Sequence, residues 1–143
     1  MVATHKYRFM RGGIGLAADV SARTEVFASA PTGTLHIHRR LHLRLPAGHV
    51  SWKDAAWLSF GTSLHAESLA PADAGHLVIA VESFVYPGAD YRAEVAALAI
   101  DGWVHQNMGV PACGISVDHD RERHEFTFDW GPGVIPFCDD LPG

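Results

Sequence analysis

The five consecutive residues Leu77-Val78-Ile79-Ala80-Val81 constrain the fold most, because every one of them is apolar. Successive side chains of a strand point to opposite faces, so a strand formed from this run has two apolar faces that both need covering. Such a strand lies inside a sheet, with neighbours on both sides. The sequence therefore predicts that Leu77, Ile79 and Val81 belong to the central strand.

Helical patterns flank this strand on both sides. Ser51 is a suitable N-cap for a first helix over 52–67, where apolar residues recur at helical spacing. A second helix is predicted over about 91–108, with Asp90 as its cap and Gly109 as its stop signal. The tryptophans on the apolar helix faces are predicted to lie in the core: Trp52, Trp57 and Trp103.

Strand patterns surround the helical region. Residues 3–9, 16–27 and 34–45 alternate between apolar and polar side chains, and a hairpin follows the second helix with its turn at 118–124. The predicted order is β-β-β-α-β-α-β-β. We therefore predict an α+β fold, a mostly antiparallel sheet with two helices packed on one face, formed by a single domain over 1–143.

The polar side of segment 34–45, TLHIHRRLHLRL, is the predicted functional surface. An exposed strand face needs polar residues, but it does not need three histidines and two arginines. Guanidinium groups can donate paired hydrogen bonds to phosphate or carboxylate. The binding residues predicted to share this face are His36, His38, Arg40, His42 and Arg44.

Several partners are compatible with this face. An unknown protein, an RNA and a small anionic ligand are all open, and so is a second copy of the chain in a homodimer. Residues 1–71 carry eight basic and four acidic side chains, whereas residues 72–143 carry three and twelve. A basic half and an acidic half permit anion binding or head-to-tail self-association.

A metal site is not predicted. His36 and His38 are two residues apart, so their neutral imidazoles could bind a transition metal from one strand face. However, Arg40 on the same face opposes a cation, and no carboxylate or thiolate is in phase with the histidines. The acidic stretch 118–125 lacks the spacing of a calcium loop and is predicted to be a solvated turn. We predict no metal and no cofactor.

Catalytic motifs are missing from the sequence, which contains neither GxSxG nor HExxH. Cys113 and His105 would form a nucleophile–base pair only if the fold brought them together, and a buried structural Cys113 is favoured. The first functional hypothesis is a small non-catalytic binding or accessory module that uses the His/Arg face. The alternative is a small metabolic enzyme that uses this face as an acid/base and anion-binding pocket.

The sequence predicts a cytoplasmic protein that does not enter a membrane. No apolar run approaches the roughly 18 residues of a membrane-spanning helix, and the N-terminal segment lacks the apolar core of a signal peptide. Cys113 and Cys138 form no CxxC pair. Reduced thiols are therefore expected.

The glycine-rich segment 11–15 (RGGIG) and the segment 86–90 (YPGAD), followed by Glu94, carry a family resemblance. Over about residues 11–108 the chain resembles domain IV of elongation factor G, which has the ribosomal protein S5 domain 2-like fold. The resemblance implies antiparallel strands followed by a helix, a strand and a second helix. It also implies a non-catalytic module that contacts the ribosome.

Overall fold

The structure, a computed structural model, describes residues 1–48, 50–69, 75–87 and 92–138. Within these ranges the elements follow the order β-β-β-β-α-β-α-β-β, which confirms an α+β fold with two helices and mostly antiparallel pairing. The elements are β1 (Ala3–Arg11), β2 (Ile14–Phe27), β3 (Leu35–His38), β4 (Leu41–Arg44), α1 (Trp52–Ser63), β5 (His76–Val85), α2 (Val95–Met108), β6 (Ser116–Asp120) and β7 (Glu125–Asp129).

A five-stranded sheet with the order β1-β2-β5-β4-β3 forms the centre of the fold. Its pairs are antiparallel except for β4 and β5, which are parallel. Strand β5 lies in the middle, as the sequence predicts for Leu77, Ile79 and Val81. All residues over 77–81 are buried, and Ile79 has no exposed surface.

Both helices cover one face of the sheet and run in the same direction. Helix α2 contacts β1 and β2, and α1 packs along α2. Gly61 of α1 lies directly against Ala97 and Ile100 of α2, where a side chain would not fit. One pocket is lined by residues from both 52–57 and 92–94, which precede Gly61 and Ala97 in the sequence. The N-terminal ends of the two helices therefore lie together.

The predicted helix boundaries need two corrections. Helix α1 ends at Ser63 and gives way to turns over 64–69, and α2 begins at Val95 rather than near residue 91. The predicted cap Asp90 lies outside the described residues. The other signals are confirmed, since Ser51 Oγ accepts a hydrogen bond from the Asp54 backbone N–H at 3.1 Å and Gly109 ends α2 with a φ of 69°.

The C-terminal hairpin packs against β1 and α1 through two aromatic contacts. Strands β6 and β7 pair antiparallel around a turn at 121–124. The ring of Phe126 meets Phe9 of β1 edge to face, with 6.2 Å between centroids. Trp130, just after β7, stacks on Trp57 of α1 at 5.3 Å. The hairpin therefore extends the core beyond the main sheet.

The prediction of one continuous strand over 34–45 is wrong. The chain turns back at Arg39 and Arg40, so that β3 and β4 form a tight antiparallel hairpin. Arg39 adopts a φ of 51°, in the left-handed region that few side chains favour. The ring of His36 stabilises this turn, because its Nε2 donates a hydrogen bond to the Arg39 carbonyl oxygen at 2.5 Å.

Candidate functional site

Three of the five predicted binding residues share the open face, which is the sheet face opposite the helices. His36 stands in register with His42 across the hairpin. His42 and Arg44 pair with Val78 and Ala80 of the parallel neighbour β5. Partners in register project to the same side of a sheet, so His36, His42 and Arg44 lie together there.

The other two predicted residues are not on this face, so the prediction of one shared face is wrong. A register shift after His36 sets His38 opposite Leu41, a fully buried core residue. The side chain of His38 is therefore on the helix side, with its Nε2 3.9 Å from the Glu67 carboxylate. Arg40 lies in the turn itself. The bulge and the turn together break the two-residue alternation.

The arginines of the open face are already bound to carboxylates. Arg44 Nη1 donates to Glu25 Oε1 at 3.0 Å, and Arg23 bonds both Glu25 and Glu82. The hydrogen bond from Arg44 contributes most to holding the pKa of the Glu25 carboxyl below its usual value. An anion at this face would have to displace these internal partners. The geometry therefore gives little support to anion binding here.

Three imidazoles form a row on the open face beside this ion-pair network. The ring of His42 lies 5.3 Å from that of His36 and 5.2 Å from that of His76, between centroids. His42 Nε2 and His76 Nδ1 share a hydrogen bond of 3.0 Å. Burial lowers the pKa of His42, and the neighbouring charges of His36 and His76 lower it further. Folding therefore favours the neutral form of His42 over the charged form.

This pKa shift predicts a loss of stability on acidification. As the pH falls through about 6.5, His42 takes up a proton in the unfolded chain before it does in the folded chain. Protonation therefore stabilises the unfolded state more than the folded state. The contribution is complete above that pH and is lost below it. We expect the free energy of unfolding of the wild type to fall more steeply than that of His42→Leu between about pH 8 and pH 5. Urea titrations over this range test the difference.

His124→Asn is the matched control for this pH series. His124 is an exposed histidine with positive φ in the turn between β6 and β7, and asparagine tolerates that backbone conformation. Its pH profile should follow that of the wild type. A profile of His42→Leu that also follows the wild type would contradict the role assigned to His42.

A pocket of about 530 Å³ opens between the N-terminal ends of α1 and α2. Its volume falls within the range of roughly 300–1,000 Å³ typical of small-molecule sites. The partial positive charge of both helix N-termini is directed towards it. The lining residues described by the structure are Trp52, Lys53, Ala56, Trp57, Arg92, Ala93, Glu94 and Phe137.

Aromatic rings form the apolar wall of this pocket. Phe137, from the segment after β7, meets Trp57 edge to face with 4.9 Å between ring centroids. Trp52 is 76% exposed, so the prediction that it belongs to the core is wrong. Trp103 is buried as predicted, and Trp57 is half-buried. An exposed indole at a pocket mouth can cover an apolar ligand.

The charged groups of the pocket are two cations and a carboxylate. Lys53 Nζ lies 5.7 Å from the centroid of the Trp52 ring, and it makes no ion pair within the described ranges. Arg92 bonds Glu94 through both Nε and Nη2, at 3.1 and 2.9 Å. The Arg92 guanidinium also lies over the ring of Phe128. The pocket therefore has one held ion pair and one further cation.

Cys113 is not paired with His105, which donates its Nδ1–H to the Val110 carbonyl oxygen instead. The imidazole beside Cys113 is that of His65, with 3.4 Å between Cys113 Sγ and His65 Nε2. Burial raises the pKa of the Cys113 thiol to about 12, and the charge of Asp101 contributes to the shift. A nucleophilic cysteine needs a lowered pKa, so this thiol is not activated for catalysis.

Asp101 is the residue whose place in the sequence could have pointed to the cluster that it forms with His65 and Cys113. It lies on the apolar stripe of α2, in phase with Ala97 and Val104, and it is buried with them. A carboxylate in such a position needs a polar partner. The sequence does not reveal that His65, 36 residues away, is that partner.

The chain matches no protein-family model and no curated protein. The resemblance to domain IV of elongation factor G stays a prediction. Neither helix in the described part of the chain combines the length and apolarity required to cross a membrane. The pocket between the two helix N-termini is therefore the basis for assigning a function.

Proposed function

We propose that this protein is a small non-catalytic binding module whose ligand occupies the pocket between the N-termini of α1 and α2. The ligand combines an aromatic or apolar body with an anionic group. The observation that carries the proposal is the placement of Lys53 beside the indole of Trp52 at the edge of that aromatic pocket. The proposal keeps the predicted class of function and moves its site away from the His/Arg face.

The two parts of the ligand follow from the two parts of the pocket. Trp52, Trp57 and Phe137 offer apolar surface that gains free energy when a flat apolar body displaces water. The anionic group is favoured by Lys53 and by the positive ends of two helices. A neutral ligand would gain the first contribution only.

We favour binding over catalysis because the described groups do not suit acid–base chemistry. Glu94 is held by two hydrogen bonds from Arg92. The remaining charged group, Lys53, is set against an indole ring. The enzyme alternative would need Arg40 and Arg44 on one sheet face, whereas Arg44 is bound to Glu25 and Arg40 lies in the turn. A cytoplasmic location is part of the proposal.

Two fluorescent probes of similar shape test the proposal. Anilinonaphthalene sulfonate carries an aromatic body and an anion, whereas phenylnaphthylamine has a similar body without the charge. We expect Lys53→Met to weaken binding of the sulfonate about fivefold, which corresponds to a partly exposed ion pair of about 1 kcal/mol. Binding of the uncharged probe should not change. Trp52→Ala should weaken the binding of both probes.

Lys6→Met is the matched control, because Lys6 is an exposed lysine on β1, away from the pocket. It should leave both affinities unchanged. Unfolding midpoints show whether each variant keeps its fold, since partly unfolded proteins also bind such probes. If the sulfonate binds folded Lys53→Met and Trp52→Ala as tightly as the wild type, the pocket is not its site and the proposal is wrong.

A further inference from the structure

Three side chains that can bind metal ions meet at the C-terminal end of α1. His65 follows α1 in the turn segment 64–69, Asp101 lies in α2, and Cys113 lies between α2 and β6. His65 Nε2 is 2.7 Å from Asp101 Oδ1 and 3.4 Å from Cys113 Sγ. One ligand atom from each residue lies within 4.8 Å of the other two. His65 and Asp101 are buried, and Cys113 is half-buried.

The arrangement converges on a point and does not form a proton relay. In a relay the carboxylate holds one imidazole nitrogen, while the other nitrogen faces the nucleophile. Here Asp101 Oδ1 and Cys113 Sγ both approach Nε2 of His65, and Nδ1 is farther from the sulfur, at 3.9 Å. A thiol sulfur, an imidazole nitrogen and a carboxylate oxygen that lie within 4.8 Å of one another resemble the donor set of a metal ion.

We propose that His65, Asp101 and Cys113 form a binding site for a divalent transition metal of the zinc class, with solvent in a fourth position. Imidazole nitrogen, thiolate sulfur and carboxylate oxygen are the donors that Zn²⁺ takes, and three protein ligands with one open position are typical of non-structural zinc sites. The partial exposure of Cys113 leaves a path for the fourth ligand.

Two of the three ligand separations fit this assignment, one as it stands and the other after a small movement. Tetrahedral zinc with its usual bond lengths places neighbouring ligand atoms roughly 3.3–3.7 Å apart. The separation of Nε2 and Sγ is already 3.4 Å. The separation of Nε2 and Oδ1 is a hydrogen-bond distance of 2.7 Å, so it would increase by about 0.6 Å when the metal replaces the shared proton.

Charge balance also favours the metal. Binding of Zn²⁺ would remove the Cys113 thiol proton to solvent and move the His65 proton from Nε2 to Nδ1. The resulting complex of a divalent cation with one thiolate and one carboxylate is neutral, which suits a buried position. A metal ion also reverses the effect of burial on a thiol, because a coordinating sulfur is deprotonated outright.

The protein also ties these ligands together without a metal. His65 Nε2 and Asp101 Oδ1 share a hydrogen bond of 2.7 Å. The backbone N–H of Cys113 also donates a hydrogen bond of 3.2 Å to Asp101 Oδ1, which ties the segment between α2 and β6 to α2. The three ligands are therefore held close together before a metal ion binds.

Cobalt titration of the full chain, purified with a chelator and without a histidine tag, tests this proposal. We expect one Co²⁺ per chain to give the visible absorption of tetrahedral cobalt together with a near-ultraviolet thiolate-to-cobalt band. Zn²⁺ should displace the bound Co²⁺. When Zn²⁺ is added to the metal-free protein instead, it should release one proton per chain and raise the melting temperature. Cys113→Ser should remove the thiolate band and weaken Zn²⁺ binding by at least about 100-fold, more than loss of an outer-shell partner does.

Cys138→Ser is the matched control, because Cys138 is the other cysteine of the chain and is also half-buried. It should bind Co²⁺ with an unchanged spectrum. His76→Gln excludes the imidazole row on the open face as the source of the signal. If Cys113→Ser does not fold, Asp101→Asn replaces it, and it should keep the thiolate band but weaken Zn²⁺ binding more than tenfold. A spectrum without a thiolate band, or one that is lost only in Cys138→Ser or His76→Gln, would overturn the proposal.

Discussion

Replacing Ile79 with alanine is expected to lower the free energy of unfolding by about 2–5 kcal/mol. Ile79 has no exposed surface and lies in β5, in the middle of the five-stranded sheet. Its side chain points into the core between the sheet and the helices, beside Leu43 of β4 in the parallel register. The loss combines the apolar surface removed from the core with the cavity that remains, since neighbouring strands and helices hold the site open.

Val26→Ala is the matched control for this prediction. Val26 is also an aliphatic strand residue, but it is 68% exposed near the end of β2. Its replacement should change the stability by about 0.5 kcal/mol or less. Urea unfolding measures both variants, and the denaturant dependence shows whether the transition stays two-state. An unfolding midpoint of Ile79→Ala that equals that of the wild type would show that this residue is not in the core.

The open-face side of β5 shows what the apolar run alone does not reveal. The sequence predicts correctly that both faces of residues 77–81 are covered. Helices cover only one of them. On the other face, Val78 and Ala80 are buried beneath polar and charged side chains from β2 and β4, among them Glu25 and Arg44. Long polar side chains can shield apolar surface with their aliphatic stems, so a buried strand does not require a second helical layer.

The hairpin of β3 and β4 was not predictable from alternation. His36 and His42 pair across the turn, and both have even sequence numbers, so a single strand and this hairpin place them on one face alike. The usual turn residues glycine, asparagine and proline are missing at the reversal. Arginine at position 39 takes the positive φ instead. A preference that depends on tertiary context is hidden from a local pattern.

The candidate sites escaped prediction for a related reason. The pocket combines the start of α1, the start of α2 and Phe137 from the C-terminal segment. His65, Asp101 and Cys113 come from three segments separated by 36 and 12 residues. The residues of each site have no characteristic spacing in the sequence. The parallel arrangement of the two helices in the fold brings them together. Sequence patterns predict the helices well, but they do not predict how the helices pair.

Replacing Gly61 with alanine is expected to destabilise the fold by about 1–3 kcal/mol, although alanine is the better helix former. A Cβ at Gly61 would lie 2.5 Å from Ile100 Cγ2 and 2.7 Å from both the Cα and the carbonyl oxygen of Ala97. Backbone atoms of α2 can move away only if the two helices separate. Alanine gains up to about 1 kcal/mol of helix propensity, which is less than the cost of disturbing a close-packed interface.

Gly102→Ala in α2 is the matched control, because it adds the same methyl group to a helix interior. The atoms nearest to that methyl group belong to the ring of His5, whose Nδ1 shares an exposed hydrogen bond with Gln106. The ring can turn aside, so the stability should change by less than about 1 kcal/mol in either direction. Urea unfolding of both variants at one pH decides between the two results. Equal stability of Gly61→Ala and Gly102→Ala would mean that α1 and α2 do not cross closely at Gly61. The same crossing brings the helix N-termini to one pocket and His65 to Asp101, so that result would weaken both proposed sites together.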